Sequence, residues 1–308
     1  MVNLVAAQKP LLHGLMKLAE LTPQKVEIEE GTVMSFWVPR SSSKNEESRG
    51  KKDKKKKPAV VLVHGFAAEG IVTWQFQVGA LTSKYDVYVP DLLFFGGSVT
   101  SSADRSPRFQ AECLAKALAK LNVNKCSVVG FSYGGMVAFK MAELYPELIT
   151  CLVISGSVLA MTDSISGTTL ERLGFASSSD LLLPNSVKGL KALLSVAAHK
   201  KLWFPNCLYR DYLEVMFNNR EERAELLEGL IVSNKDTVIP KFSQKILLLW
   251  GENDQIFNLD LAQNMKEQLG GNTTMQTIKK AGHLVHLERP CVYNRRLKEY
   301  LAASTQAE

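Results

Sequence analysis

Val128-Val129-Gly130-Phe131-Ser132-Tyr133-Gly134-Gly135 is the stretch that decides how this chain folds. An apolar run, residues 126–129, leads into Gly-x-Ser-x-Gly, and an amphipathic segment, 136–144, follows. The pattern predicts a buried strand, a sharp turn and a helix, with a serine at the apex. The glycines are required sterically, because a Cβ at Gly130 or Gly134 would collide with the neighbouring helix or strand. The serine oxygen then stands clear at the carboxyl end of the sheet, near the positive end of a helix. That is the setting a nucleophilic serine needs.

Two further stretches supply what such a serine would use. Ala59-Val60-Val61-Leu62-Val63-His64-Gly65-Phe66 reads as a β-branched strand opening into a loop. In that position the loop offers one backbone N–H to a developing oxyanion, and the residue after the nucleophile offers the other. The donors are assigned to Phe66 and Tyr133. The side chain of His64 reads as structural, bonding backbone within the loop.

The other stretch lies toward the C-terminus. Residues 245–250 (KILLLW) form another apolar strand, followed by Gly251-Glu252-Asn253-Asp254. Downstream comes Ala281-Gly282-His283-Leu284-Val285-His286. Serine is a weak nucleophile until a histidine takes its proton, and the histidine needs a carboxylate to hold its tautomer. Ser132, Asp254 and His283 fall in the chain order that this chemistry takes on a parallel sheet. The chain has five histidines. His13 sits in an N-terminal amphipathic segment and His199 beside two lysines, without catalytic context. His286 is the rival to His283, but it opens the last helix, where bonding Glu288 or backbone is the simpler role. Asp254 is preferred over Glu252 and Asp260 because it begins a strand-to-helix loop. Asp91, at the end of a different strand, reads as structuring the loop toward Gly96-Gly97-Ser98.

Strands are expected at 25–29, 32–38, 59–64, 86–90, 125–130, 150–156, 245–250 and 274–278. Helices are expected from about 71, and at 107–121 and 133–145. This alternation predicts an α/β fold: a mostly parallel eight-stranded sheet flanked by helices. It stops near residue 157 and resumes at 245. Helical patterning at 168–173, 187–200, 205–217 and 220–232 fills the gap. The expected organisation is therefore a core of residues 1–156 and 241–308, with a helical cap, 157–240, inserted after the sixth strand. The cap is rich in large apolar residues. Phe94, Phe95, Trp203 and Tyr212 are the expected pocket residues, and Phe66, Phe94, Phe95 and Tyr133 are expected to wall its base. No acidic cluster or arginine clamp points to a strongly charged substrate.

The formal net charge is +6, but eight Lys/Arg and three Asp/Glu fall within residues 44–57. That segment alone carries +5. The remainder is close to neutral, so no nucleic-acid partner is expected. Residues 41–57 read as a disordered, solvated loop, with a nuclear signal or anionic-membrane contact as the alternative. The helical periodicity of 10–21 predicts a helix packed on the domain, or a peripheral membrane helix working with the lysine-rich loop. No apolar stretch suits a secretory signal or a membrane span. Five scattered cysteines without CxxC read as buried thiols of a reducing compartment, which points to the cytoplasm. No metal-ligand spacing appears, and the chemistry of Ser, His and Asp needs no metal and no organic cofactor.

HGF at 64–66, PDLLFFGGS at 90–98, GFSYGG at 130–135, LLLWGENDQIF at 247–257 and AGHLVHLERP at 281–290 together resemble the α/β-hydrolase superfamily. The likeness runs from about residue 26 to the last helix. Within the superfamily the chain is similar to plant proteins described as monoacylglycerol-lipase-like or epoxide-hydrolase-like. Epoxide hydrolases carry an aspartate at the elbow, where this chain has Ser132. The resemblance therefore implies a serine hydrolase of small to medium apolar esters. Its alternatives are a carbon–carbon bond hydrolase on the same three residues, or a ligand-binding protein like the strigolactone and karrikin receptors.

Overall fold

A computed structural model describes residues 3–41, 57–236 and 238–305. The lysine-rich loop expected at 41–57 lies outside the described residues except for its two end positions. The chain opens with helix α1 (Leu4–Leu18), started by Asn3, whose side chain accepts from the Ala6 N–H at 2.8 Å. This helix begins six residues earlier than the periodicity suggests and carries Pro10 in its interior. It packs on the domain: the Leu4 N–H donates to Asp211 at 2.7 Å, and Lys9 pairs with Glu69 at 2.6 Å.

A hairpin of β1 (Leu21–Glu29) and β2 (Thr32–Pro39) follows. Pro23 sits in β1 opposite Trp37, which an edge strand tolerates because no further strand needs its missing N–H. Then come β3 (Ala59–Val63), the short helices α2 (Gly70–Thr73) and α3 (Gln75–Leu81), and β4 (Asp86–Pro90). Helix α4 (Pro107–Lys120) starts with Pro107 at its first position, and Ser106 caps it by accepting from the Phe109 N–H at 3.1 Å. Strand β5 (Cys126–Phe131), helix α5 (Tyr133–Leu144) and strand β6 (Ile149–Ser155) complete the first block.

The segment after β6 carries β7 (Met161–Thr162), α6 (Asp163–Leu173), α7 (Ser178–Leu182), α8 (Val187–Ala197), α9 (Asn206–Met216), α10 (Arg220–Glu228) and β8 (Ile231–Val232). Strands β7 and β8 pair in parallel, so the entry and exit of this insertion are held side by side. Neither α7 nor this ladder is legible in the sequence, because elements of two to five residues have no measurable periodicity. The chain then returns to the sheet with β9 (Lys245–Gly251), α11 (Leu259–Leu269) and β10 (Thr273–Ile278), and ends with α12 (Val285–Glu288) and α13 (Pro290–Thr305).

The sheet has eight strands in the order β1-β2-β4-β3-β5-β6-β9-β10. β1–β2 and β2–β4 are antiparallel and every other pairing is parallel. Both faces are covered: along β3, Val61 and Val63 join one apolar cluster, while Val60 and Leu62 join the other. That explains why its strands read as unbroken apolar runs rather than alternating ones. The parallel strands β3, β5, β9 and β10 all end at one edge, and the candidate site residues follow those ends. All five cysteines are free thiols. No helix among the described residues is long and apolar enough to cross a membrane.

Candidate functional site

Ser132 sits between β5 and α5 with φ 52° and ψ −120°, a backbone region that a Cβ disfavours. Holding a non-glycine residue there costs on the order of 1–3 kcal/mol. The surroundings enforce it: the Ser132 N–H donates to the Ser155 carbonyl at 2.9 Å, and the Ser132 carbonyl accepts from Gly135 at 2.8 Å. Gly134 lets the turn close. A Cβ there would collide with both the Val63 and His64 carbonyl oxygens, so helix α5 rests directly on the end of β3. At Gly130 a Cβ would meet Gly134 and Gly135 of the helix at 2.7 Å.

Asp254 and His283 come from the loops after β9 and β10. His283 Nδ1 lies 2.9 Å from Asp254 Oδ2, and both residues are only 5% exposed. The other carboxylate oxygen, Oδ1, accepts from the Ile256 N–H at 2.9 Å and the Phe257 N–H at 3.0 Å. Asp254 is therefore fixed by two backbone donors, and it orients one nitrogen of the imidazole. The Phe131 ring lies 4.9 Å from that of His283, which places the histidine beside the residue preceding Ser132. Gly156 makes room for the pair: a Cβ on this residue, whose φ is +52°, would lie 2.7 Å from His283 Nδ1. Gly156 is a site residue that the sequence reading missed. Among the described residues the Ser132 hydroxyl makes no hydrogen bond. In unliganded sites the link between nucleophile and base is often long.

The turn after β3 runs past Ser132, since a Cβ on Gly65 would stand 3.2 Å from Ser132 Cβ. The N–H groups of Phe66 and Tyr133 find no acceptor among the described residues. Their rings pack edge-to-face at 5.8 Å, and Phe95 stacks behind Phe66 at 5.3 Å. His64 is wholly buried and spans the turn. Its Nδ1 donates to the Gly65 carbonyl at 2.7 Å, and its Nε2 accepts from the Leu92 N–H at 2.9 Å. Burial pushes its pKa down to about 4, so it stays neutral and structural.

Asp91 buttresses the same loop, accepting from the Gly70 N–H at 2.8 Å. Burial pushes its carboxyl up to about 7, opposed by the Gly70 hydrogen bond. His286 differs from expectation. It lies in α12 rather than the last helix, and neither ring nitrogen has a partner. It is packed between Trp74, Phe131 and Tyr293 as an aromatic filler. Glu288 serves elsewhere, accepting from the Gly282, His199 and Lys200 N–H groups and so joining the insertion to the loop before His283.

A narrow cavity of about 40 Å³ opens over Ser132, between the sheet edge and the insertion. Phe66, Tyr133 and Met136 line it from the core, and α6, α7 and α10 close it from above. The four expected pocket residues do not line it. Trp203 is 83% exposed on the outer surface of the insertion, in a loop whose lack of periodicity concealed its direction. Tyr212 is turned to the Ala67 carbonyl, which its hydroxyl contacts at 3.2 Å. Phe94 lies against the Arg105 guanidinium, and Phe95 forms a second layer beneath that of Arg223. The residues that do line the cavity include Leu170, Leu181, Leu227 and Ile256. Helical patterning marks Leu170 and Leu227 as inward-facing, but does not say whether they face core or cavity. Among the described residues, no group of three or more His, Cys, Asp or Glu could hold a metal ion.

Comparisons with known proteins bear on the fold. The family model for the alpha/beta hydrolase fold matches residues 58–183. The monoacylglycerol lipase ABHD6 of Homo sapiens is 26% identical over 266 residues, covering 80% of this chain and 76% of its own. A 2-hydroxy-6-oxononadienedioate/2-hydroxy-6-oxononatrienedioate hydrolase of Pseudomonas sp is 25% identical over 260 residues, covering 79% and 87%. The crystal structure of a bacterial membrane phospholipase A superposes with a TM-score of 0.76 at 23% identity, covering 98% of this chain and 91% of that one. With its sheet order, its serine elbow and these likenesses, the chain has the α/β-hydrolase fold.

Proposed function

We propose that the protein is a serine hydrolase cleaving carboxylic esters of small to medium, uncharged, largely apolar substrates. The observation that carries this is the buried Asp254–His283 pair beside a strained Ser132 elbow that faces an apolar cavity. Ser132 Oγ attacks the ester carbonyl while His283 takes its proton. The oxyanion sits against the unpaired N–H groups of Phe66 and Tyr133. His283 then returns the proton to the departing alcohol. Water, deprotonated by His283, cleaves the acyl-enzyme and releases the acid. Asp254 holds the imidazole tautomer and stabilises the imidazolium. The segment 157–240 acts as a cap over the site, and its helices set specificity.

The alternative is carbon–carbon hydrolysis on the same three residues; the relative from Pseudomonas sp is by its name a hydrolase of a dioate. A dioate brings carboxylates, and the cavity lining holds no Lys, Arg or His. That favours the ester reading for this chain. The test is turnover of a p-nitrophenyl ester series from acetate to laurate, with fluorophosphonate labelling in parallel. Turnover and labelling that vanish in Ser132→Ala, with turnover lost by about 10³-fold or more in His283→Ala, are expected. Folded protein that neither labels nor turns over any member would overturn the proposal.

A further inference from the structure

The lining of the cavity over Ser132 is apolar except for Ser132, Tyr133 and hydroxyl-bearing residues of the insertion. Ser166 and Thr169 of α6 both line it, and each residue is only 6% exposed. They stand three positions apart, so they share a helix face. Buried hydroxyls on helices usually bond a carbonyl one turn back, as Thr73 does to Glu69 at 3.0 Å. Ser166 and Thr169 do not: neither hydroxyl has a partner among the described residues. Ser178, the first residue of α7, adds a third hydroxyl to the same lining. The rest of the lining outside Ser132 and Tyr133, Met136, Leu227 and Leu230 included, has no polar side chain.

Resting on the reading of this site as an ester hydrolase, we infer that Ser166 and Thr169 form a subsite for an uncharged oxygen function of the substrate, a hydroxyl above all. Three features select that chemistry. The hydroxyls both donate and accept, which suits a neutral hydroxyl or carbonyl. The lining holds no cation, so a carboxylate or phosphate would enter unpaired. A cavity of about 40 Å³ holds only a few waters, so a substrate that displaces them must supply the missing hydrogen bonds itself. A site built to bond a hydroxyl rejects the analogue lacking it more strongly than an apolar pocket rejects an extra group. The favoured substrate is therefore a hydroxyl-bearing ester. Its hydroxyl belongs either to a polyol leaving group or to the acyl chain.

The test compares the wild type with Ser166→Ala/Thr169→Val on three esters of matched length: glyceryl monolaurate, propyl laurate and the propyl ester of 12-hydroxydodecanoic acid. Wild type should prefer at least one hydroxylated ester over propyl laurate. The double variant should lose about tenfold in kcat/KM on that ester, while propyl laurate changes less than twofold. Which hydroxylated ester responds identifies the source of the hydroxyl. Thr169→Ser should retain the preference. Binding is read separately on Ser132→Ala, as the shift in melting temperature given by 1-O-dodecylglycerol, 1,12-dodecanediol and dodecanol. One of the hydroxylated ligands should shift it more than dodecanol, and the Ser166→Ala/Thr169→Val changes should erase the difference. Equal losses on all three esters, or no wild-type preference in either assay, would overturn the subsite. Absence of Ser132-dependent turnover with the binding preference intact would instead overturn the reading as an esterase.

Discussion

Ser132 carries the clearest conflict between local preference and required geometry. Its φ of 52° and ψ of −120° suit glycine, yet the chemistry proposed here needs a side chain at that point. Ser132→Gly should therefore abolish activity while raising stability by about 1 kcal/mol, since the strain is released and no packed side chain is lost. Ser132→Ala keeps the Cβ and should leave stability nearly unchanged. Urea unfolding of both variants checks the pair. A Ser132→Gly protein no more stable than the Ser132→Ala one would show that the elbow stores no strain. At this scale much was legible. Gly130, Ser132 and Gly134 announce the turn, because their spacing has few other uses. Asp254 and His283 were readable because each follows an apolar strand and precedes a loop. Gly156 was not readable, because its glycine answers to the Asp254–His283 pair, which comes from about a hundred residues away in the chain.

Among the elements, α10 has the least ordinary anchor. Arg223 is only 2% exposed and makes no ion pair among the described residues. Its guanidinium donates to the Phe94 and Met216 carbonyls and to Asn218, and stacks 4.1 Å from the Phe95 ring centre. Burial pushes its pKa down to about 10, so it remains charged. Arg223→Ala would leave the Met216 carbonyl unpaired, weaken the hold on the Phe94 carbonyl, which Asn219 also bonds, and open a void, at a cost of about 2–4 kcal/mol. The measurable result should be a lower melting temperature, and proteolytic nicking concentrated in 157–240. Arg223→Lys cannot reproduce the fork and should fall between the two. Unchanged unfolding in Arg223→Ala would contradict this account. The sequence placed a helix here, from 220 to 232, but not its early end at Glu228 nor the strand that follows. A charged residue inside a helical pattern reads as solvent-facing, which is why Arg223 gave no signal.

For the whole molecule, three buried groups set an acid–base balance. In the unfolded chain His64 and His286 take protons near 6.5, whereas burial holds them neutral down to about 4 and about 3 in the folded protein. Between those limits the unfolded state binds more protons, so acidification removes stability. Asp91 acts the other way. Burial raises its pKa from 3.8 to about 7, so the folded state holds an extra proton in that window and gains stability as pH falls. Two protons against one leave a net loss of about 1.4 kcal/mol per pH unit between pH 6 and 4.5 from these three groups. His286→Phe should flatten that slope to near zero, and Asp91→Asn should roughly double it. Urea midpoints across that range distinguish the outcomes, and parallel slopes in all three proteins would contradict them. The eight-stranded sheet itself was legible at this scale because parallel strands covered on both faces read as unbroken apolar runs.

The two-residue ladder of β7 and β8 has a bearing on how this architecture diversifies. Because Met161 and Ile231 are paired, the roughly seventy residues between them leave and rejoin the body at one doorway. Neighbouring strands lie about 4.8 Å apart, so the sheet sees a connection no wider than a hairpin, whatever its content. Lengthening a loop whose ends already meet costs little, about 0.6 kcal/mol per doubling. The segment is therefore joined to the body like a cassette: if it caps the site as proposed, exchanging everything beyond the doorway would rewrite substrate preference, while the serine, the histidine and the sheet that carries them keep their positions.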